Sequence, residues 1–142
     1  MPLDVIDIRG FYASALGRVT RDCLTLALRE AWPRTQGLSV MGLGFAIPYL
    51  DLFRGEAERV ISVMPERQGV IEWPQGGPSA SILAAPGALP FPDSSIDRAL
   101  VIHALETQDR PQDLLNELWR VLSPPSAGRN RFISRLLVAH FW

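Results

Sequence analysis

Residues 40–46 read VMGLGFA: an apolar run that ends in Gly42 and Gly44, followed by Phe45 and Ala46 and then by an amphipathic segment. A strand that runs into small residues lets a ligand approach the main chain closely. A helix that follows points its free N–H groups at that ligand. In open α/β sheets the ligand crevice lies beyond the carboxyl ends of the strands. Residues 42–47 are therefore the natural place for a bound cofactor, although a tight packing turn would be spelled the same way. His103 closes another apolar run and has the chemistry of a general base, since imidazole titrates near neutral pH. A hydrogen-bonded histidine capping a buried strand would look no different. Asp93 and Asp97 sit at turns, where a short carboxylate fixes backbone. Trp73, in a Gly/Pro-rich stretch, is a candidate lid over a ligand, whereas Trp119 falls in a helical pattern and is expected to pack. Glu106 and the Arg110/Arg120 pair read as solvated faces. The lone Cys23 has no partner for a disulfide or a metal pair and is expected to be buried as a small hydrophobe. No metal site is expected.

These residues need a scaffold of strands and helices. Tyr12, Leu16, Val19, Cys23 and Ala27 recur at helical spacing, which predicts one amphipathic helix over 11–31, ended by Pro33. Residues 38–43 form a short buried strand and 47–55 a short helix with Pro48 in its first turn. Strands are expected at 58–65, 81–85 and 97–105. A helix over 110–122 starts at Pro111 and gathers Leu114, Leu115, Leu118, Val121 and Leu122 on one face. Strands alternating with helices imply βαβ units and a mostly parallel sheet covered on both faces. The tail RFISRLLVAHFW fits a strand over 132–138, with Leu136 and Leu137 on opposite faces, or a helix.

Of 142 residues 47% are hydrophobic and 20% charged, with a formal net charge of -1, as in one ordinary globular domain. That balance gives no electrostatic reason to expect nucleic acid or an anionic membrane as partner. All 14 basic side chains are Arg, and they do not cluster as phosphate contacts would. The first residues have no basic run, and no apolar stretch reaches membrane-spanning length, so a cytoplasmic location is expected.

Three ordered motifs then carry a resemblance: the glycine turn Gly42 to Ala46, the segment LPFPDSSID from Leu89 to Asp97, and ELWRVLSP from Glu117 to Pro124. Together they resemble the class I S-adenosylmethionine-dependent methyltransferases, particularly the small-molecule branch. The resemblance implies a Rossmann-like α/β fold, S-adenosylmethionine as cofactor and a small-molecule methyl acceptor. It divides the chain into an N-terminal helical segment (1–35), a cofactor-binding core (36–124) and an atypical tail (125–142). It places Gly42, Gly44, Phe45 and Ala46 against the methionine part of the cofactor and Met64 by the ribose. The segment before Leu89 would cradle the adenine, and His103 would face the methyl group or the acceptor.

The departures from the family pattern are equally specific. Val40 and Met41 precede the first glycine, Met64 ends the second strand and Ala85 precedes the adenine segment, all places where the family usually has an acid; Glu66 lies two residues past Met64. A lost carboxylate–hydroxyl contact costs about 1.5–3 kcal/mol, so weakened cofactor binding is expected, with a non-catalytic methyltransferase-like interaction domain as the alternative. Pro124 is followed by PSAG where the family has a glycine pair and further strands, so a fold truncated relative to seven strands is expected. Such a fold would bare the edge of strand 97–102. Either the tail strand or a homodimer through that edge would cover it.

Overall fold

The computed structural model describes residues 5–65, 73–74, 80–85, 87–105, 108–123 and 136–139. Along the chain lie α1 (Val5–Ala13), α2 (Ala15–Ala31), β1 (Ser39–Gly44), α3 (Ile47–Leu50), β2 (Arg59–Pro65), β3 (Ser81–Ala84), β4 (Arg98–Ile102), α4 (Pro111–Val121) and β5 (Leu136–Ala139). The five strands form one parallel sheet in the order β3-β2-β1-β4-β5. This is the Rossmann-like arrangement expected from alternating strands and helices.

Each central strand is apolar on both faces because each face has a layer to bury. Met41, Leu43, Ala99 and Val101 turn toward α4, which contributes Leu114, Leu118 and Val121. Val40, Leu100 and Ile102 turn the other way, toward Leu28 of α2 and Tyr49, Leu50 and Phe53 around α3. β5 obeys the same alternation, with Leu136 packed on the first layer and Leu137 on the second. Asp97 aligns the starts of β1 and β4: its Oδ2 accepts from the Ser39 N–H at 2.8 Å, and its own N–H donates to the Ser39 carbonyl at 2.9 Å. The backbone-fixing role expected of this turn carboxylate is the one it has.

The N-terminal helix differs from expectation in two ways. It is two helices, because Ser14 interrupts it and caps the second: its Oγ accepts from the Gly17 N–H at 3.1 Å. The stripe expected to be buried also faces outward. Leu16 is 67% and Val19 59% exposed, and Cys23 and Ala27 are exposed with them. The inward face is Gly17, Leu24 and Leu28, the neighbouring stripe on the same wheel. Gly17 lies where any side chain would collide with the carbonyl of Phe11 in α1. The packed face is then carried by Leu24 and Leu28 against Leu100, Ile102 and Leu137.

Smaller differences follow from tertiary context. The helix expected over 47–55 stops at Leu50 and continues as turns. β4 ends at Ile102, before His103, whose φ of 53° leaves the extended region. Trp119 is 64% exposed rather than packed. The tail strand is present as β5 over 136–139, the rest of its expected span lying outside the described residues, so β4 is paired on both sides and offers no free edge for a homodimer. Phe132, Ile133, Glu66 and Glu106 lie outside the described residues. Among the described residues no helix is long and apolar enough to cross a membrane.

Candidate functional site

Phe45 follows the last residue of β1, Met64 is next to last in β2, and His103 follows the last residue of β4. All three therefore lie at the carboxyl edge of adjacent parallel strands. From β1 the chain runs outward to β2 and β3, and from β4 outward to β5 on the other side. The order reverses between β1 and β4, which in open sheets is where ligands bind.

The glycine turn that leads there is held by packing on both sides. A Cβ on Gly42 would lie 2.6 Å from the Ala46 Cβ and 2.7 Å from a Leu50 methyl, so Gly42 lets α3 settle on β1. Gly44 has φ 84°, and a Cβ there would collide with the Ile102 carbonyl oxygen and lie 2.9 Å from the Ala104 Cβ. Its bare backbone lets the Phe45 N–H donate to that carbonyl at 2.9 Å. The turn is thus a junction between β1, β4 and α3.

The segment from Leu89 to Asp93 is positioned by α4. The Glu117 carboxylate accepts from the Leu89 N–H at 2.7 Å and binds Arg120 through both oxygens. Arg120 in turn donates to the carbonyls of Leu89 and Phe91 and to Asp93. The Arg120 guanidinium holds the Glu117 carboxyl below its usual range. Arg120 is therefore the clamp of residues 89–93, a correction to its reading as a solvated charge. Arg110 keeps the expected role, in an exposed pair with Asp113 at 3.2 Å.

Over the crevice lies α1. Ile8, Phe45 and Met64 form one buried cluster at 3%, 4% and 0% exposure. Tyr12 stacks on Phe45, ring centroids 5.4 Å apart. Its hydroxyl lies 2.7 Å from that of Tyr49 and 3.3 Å from His103 Nε2. Burial raises the pKa of both tyrosines, so both stay phenols that can donate. His103 is 1% exposed beneath them. Neither Ile8 nor Tyr12 stood out in the sequence as a site residue, because only the fold brings α1 to the end of β1.

Every residue expected to touch a cofactor (Gly42, Gly44, Phe45, Ala46, Met64 and Leu89) is buried. Phe45 and Met64 come together; Leu89 joins the other core layer, against α4. A buried atom presents no surface to a ligand. Among the described residues, Ile8 fills the space beside Phe45 and Met64, and Met64 brings no carboxylate to ribose hydroxyls. Trp73 is no lid: it is 5% exposed, donates from Nε1 to Asp51 at 3.1 Å, and carries Arg54 over its ring. Among the described residues, one cavity of about 150 Å³ lies between α2 and β4–β5 and another of about 290 Å³ beside Arg54 and Trp73. Among the described residues no cluster of His, Cys, Asp and Glu has the makings of a metal site.

A family model described as a methyltransferase domain matches residues 40–127, from the glycine turn through α4. The chain belongs to the methyltransferase-domain family. Solved structures agree on the fold. A SAM-dependent methyltransferase from Mesorhizobium loti superposes with a TM-score of 0.52 at 24% identity, over 69% of this chain and 48% of that one. One from Aquifex aeolicus gives 0.51 at 18% identity, over 69% and 57%. The [4+2]-cyclase SpnF gives 0.52 at 21%, over 72% and 41%. The chain thus spans about half the length of these methyltransferase-like structures. No curated protein matches by sequence. The presence of a cyclase among these structures shows that this fold alone does not set the reaction.

Proposed function

We propose that this member of the methyltransferase-domain family binds S-adenosylmethionine at the carboxyl edge of β1 and β2 and serves methyl transfer to a small molecule. The observation that supports the reading is the glycine turn at the point where the strand order reverses, in a chain whose match to the family runs from that turn through α4. A sulfonium cofactor supplies an activated methyl group, so the protein's part is alignment and exclusion of water. The main chain at 42–46 would lie along the methionine part, Met64 beside the ribose, and the segment held by Arg120 beside the adenine. His103 would take the acceptor's proton.

The neutral Met64 and the Ile8 packed on it favour a second reading, a methyltransferase fold that acts only through protein contacts. Calorimetric titration with S-adenosylhomocysteine separates the two. Saturable binding at micromolar to high-micromolar concentration is expected from the first reading. No heat up to millimolar ligand would sink it in favour of the second.

A further inference from the structure

We propose that the outward face of α2 is the surface through which two copies of this chain pair, Leu16 of each copy filling a cavity beside α2 of the other. The surface belongs to α2 and does not depend on what fills the cofactor site.

Leu16, Val19, Cys23 and Leu26 follow one another at steps of three, four and three, the spacing of a helix that packs along another helix. All four face solvent: Leu16 is 67%, Val19 59% and Leu26 74% exposed, and Cys23 is exposed between them. α2 already buries Leu24 and Leu28 against the sheet, so this second apolar stripe is more than its own packing requires. Large apolar side chains gathered in water mark an interaction site.

The cavity of about 150 Å³ adjoins that stripe. It is walled by Leu24, Ala27 and Leu28 of α2 and by Ile102 and Leu137 of the sheet. Ala27 is both a wall of the cavity and exposed at the margin of the stripe, so the cavity opens there. An aliphatic cavity of this size takes up an apolar group rather than water, and the stripe itself carries a suitable one. Leu16 precedes Ala27 by about three turns and points in nearly the same direction from the helix axis. A knob and a hole set apart on one stripe are what a two-fold contact needs, since each copy's knob then enters the other's hole. Antiparallel pairing about an axis near Arg21 sets Leu16 of one copy over Ala27 of the second, and Val19 against Cys23. A parallel pair would leave each Leu16 far from either cavity.

The charges agree with the antiparallel sense. Arg18 and Asp22 border the stripe on the side away from the cavity, and in an antiparallel helix pair like borders meet. About the same axis Arg18 of one copy comes opposite Asp22 of the second, and Asp22 opposite Arg18. Within the chain Arg18 donates to the Ala13 carbonyl at 2.7 Å. Asp22 meets Arg21 at 3.3 Å with its side chain 69% exposed, so its carboxylate has room for a second cation.

Sedimentation velocity on the full chain, over a concentration series from nanomolar to high micromolar, tests the pairing. The wild type is expected to pass from the mass of one chain to that of two. Leu16→Ala, at a position exposed in the single chain, is expected to weaken pairing about a hundredfold, roughly tenfold for each of the two leucines withdrawn. Its circular-dichroism spectrum should be unchanged. The charges are tested by mixing. The Arg18→Asp chain is acidic at both positions and the Asp22→Arg chain basic at both, so each alone should pair more weakly than wild type, and an equimolar mixture should pair better than either. A wild type that stays monomeric to high-micromolar concentration would overturn the proposal and leave the stripe to a different partner. Species larger than two would also overturn it, because a two-fold contact closes on itself. So would a dimer that tolerates Leu16→Ala, or a mixture that pairs no better than its components.

Discussion

Gly44→Ala probes the junction at the end of β1, and Gly55→Ala is its internal standard. The two glycines have nearly the same backbone conformation, φ 84° and 82°. They differ in their surroundings: nothing lies within 4 Å of a Cβ built on Gly55, whereas one on Gly44 runs into the Ile102 carbonyl and lies 2.9 Å from the Ala104 Cβ. Forcing an L-residue into the left-handed region costs about 1–2 kcal/mol, partly offset by the lower entropy of the unfolded alanine chain. That leaves roughly 1 kcal/mol for Gly55→Ala. At Gly44 the same strain is joined by overpacking of about 1–3 kcal/mol and by loss of the bond from the Phe45 N–H, about 1 kcal/mol. The expected total is roughly 3–5 kcal/mol, a large share of the stability of an ordinary domain. For a domain near this size each kcal/mol moves the melting temperature by about 2–4 °C. Thermal melts followed by circular dichroism should therefore drop by a few degrees for Gly55→Ala and by about 10 °C or more for Gly44→Ala. Gly37→Ala, with φ 73° and open space, should follow Gly55→Ala. Equal losses at positions 44 and 55 would refute the claim that the turn is a packed junction.

The α4 layer and the clamp give two more tests. Leu118 is fully buried among the residues that join α4 to the sheet, so Leu118→Ala should cost about 2–5 kcal/mol in urea unfolding; a midpoint within error of wild type would contradict its place in the core. Arg120 holds the Glu117 carboxyl below its ordinary value of 4.5, so the folded state binds that proton less readily than the unfolded chain. The stabilisation is full above pH 4.5 and disappears as pH falls through the lowered folded value. Glu117→Gln should therefore destabilise the protein at pH 7 and flatten the stability profile below pH 4.5. A variant that loses stability in acid as steeply as wild type would show that Glu117 is not the group concerned.

Local patterns carried most of the scaffold. The spacing of Leu114, Leu118 and Val121 with Pro111 ahead of them specifies α4 without any knowledge of its neighbours, and the short apolar runs at 39–44 and 98–102 are strands because both faces are covered. Even β5 was visible in the alternation of Leu136 and Leu137. What local pattern did not carry depends on residues distant in the chain. Two apolar stripes compete on α2, and the one that packs does so against Leu100, Ile102 and Leu137, far along the chain. Apart from Glu117 on the same helix, Arg120 has its partners 27 to 31 residues away, so its sequence neighbourhood does not distinguish a clamp from a solvated ion pair. The glycine turn, legible as a motif, lies where the strand order reverses. That Ile8 and Tyr12 lie on top of it is a long-range fact with no motif to announce it.

The strand order also dictates how this sheet can be built as the chain leaves the ribosome. β1 comes first and lies in the middle; β2 and then β3 add outward on one side, and β4 and then β5 add outward on the other. Each newly made strand joins an existing edge, and none has to be threaded between two already joined. The price is a vulnerable interval. After β3 has docked, the other edge of β1, apolar on both faces, waits without its neighbour until Arg98 to Ile102 has been synthesised. An unpaired apolar edge recruits whatever strand it meets. A nascent chain stalled between β3 and β4 should therefore be the species most prone to capture by chaperones or by other copies of itself, and one stalled beyond β4 should be markedly less so.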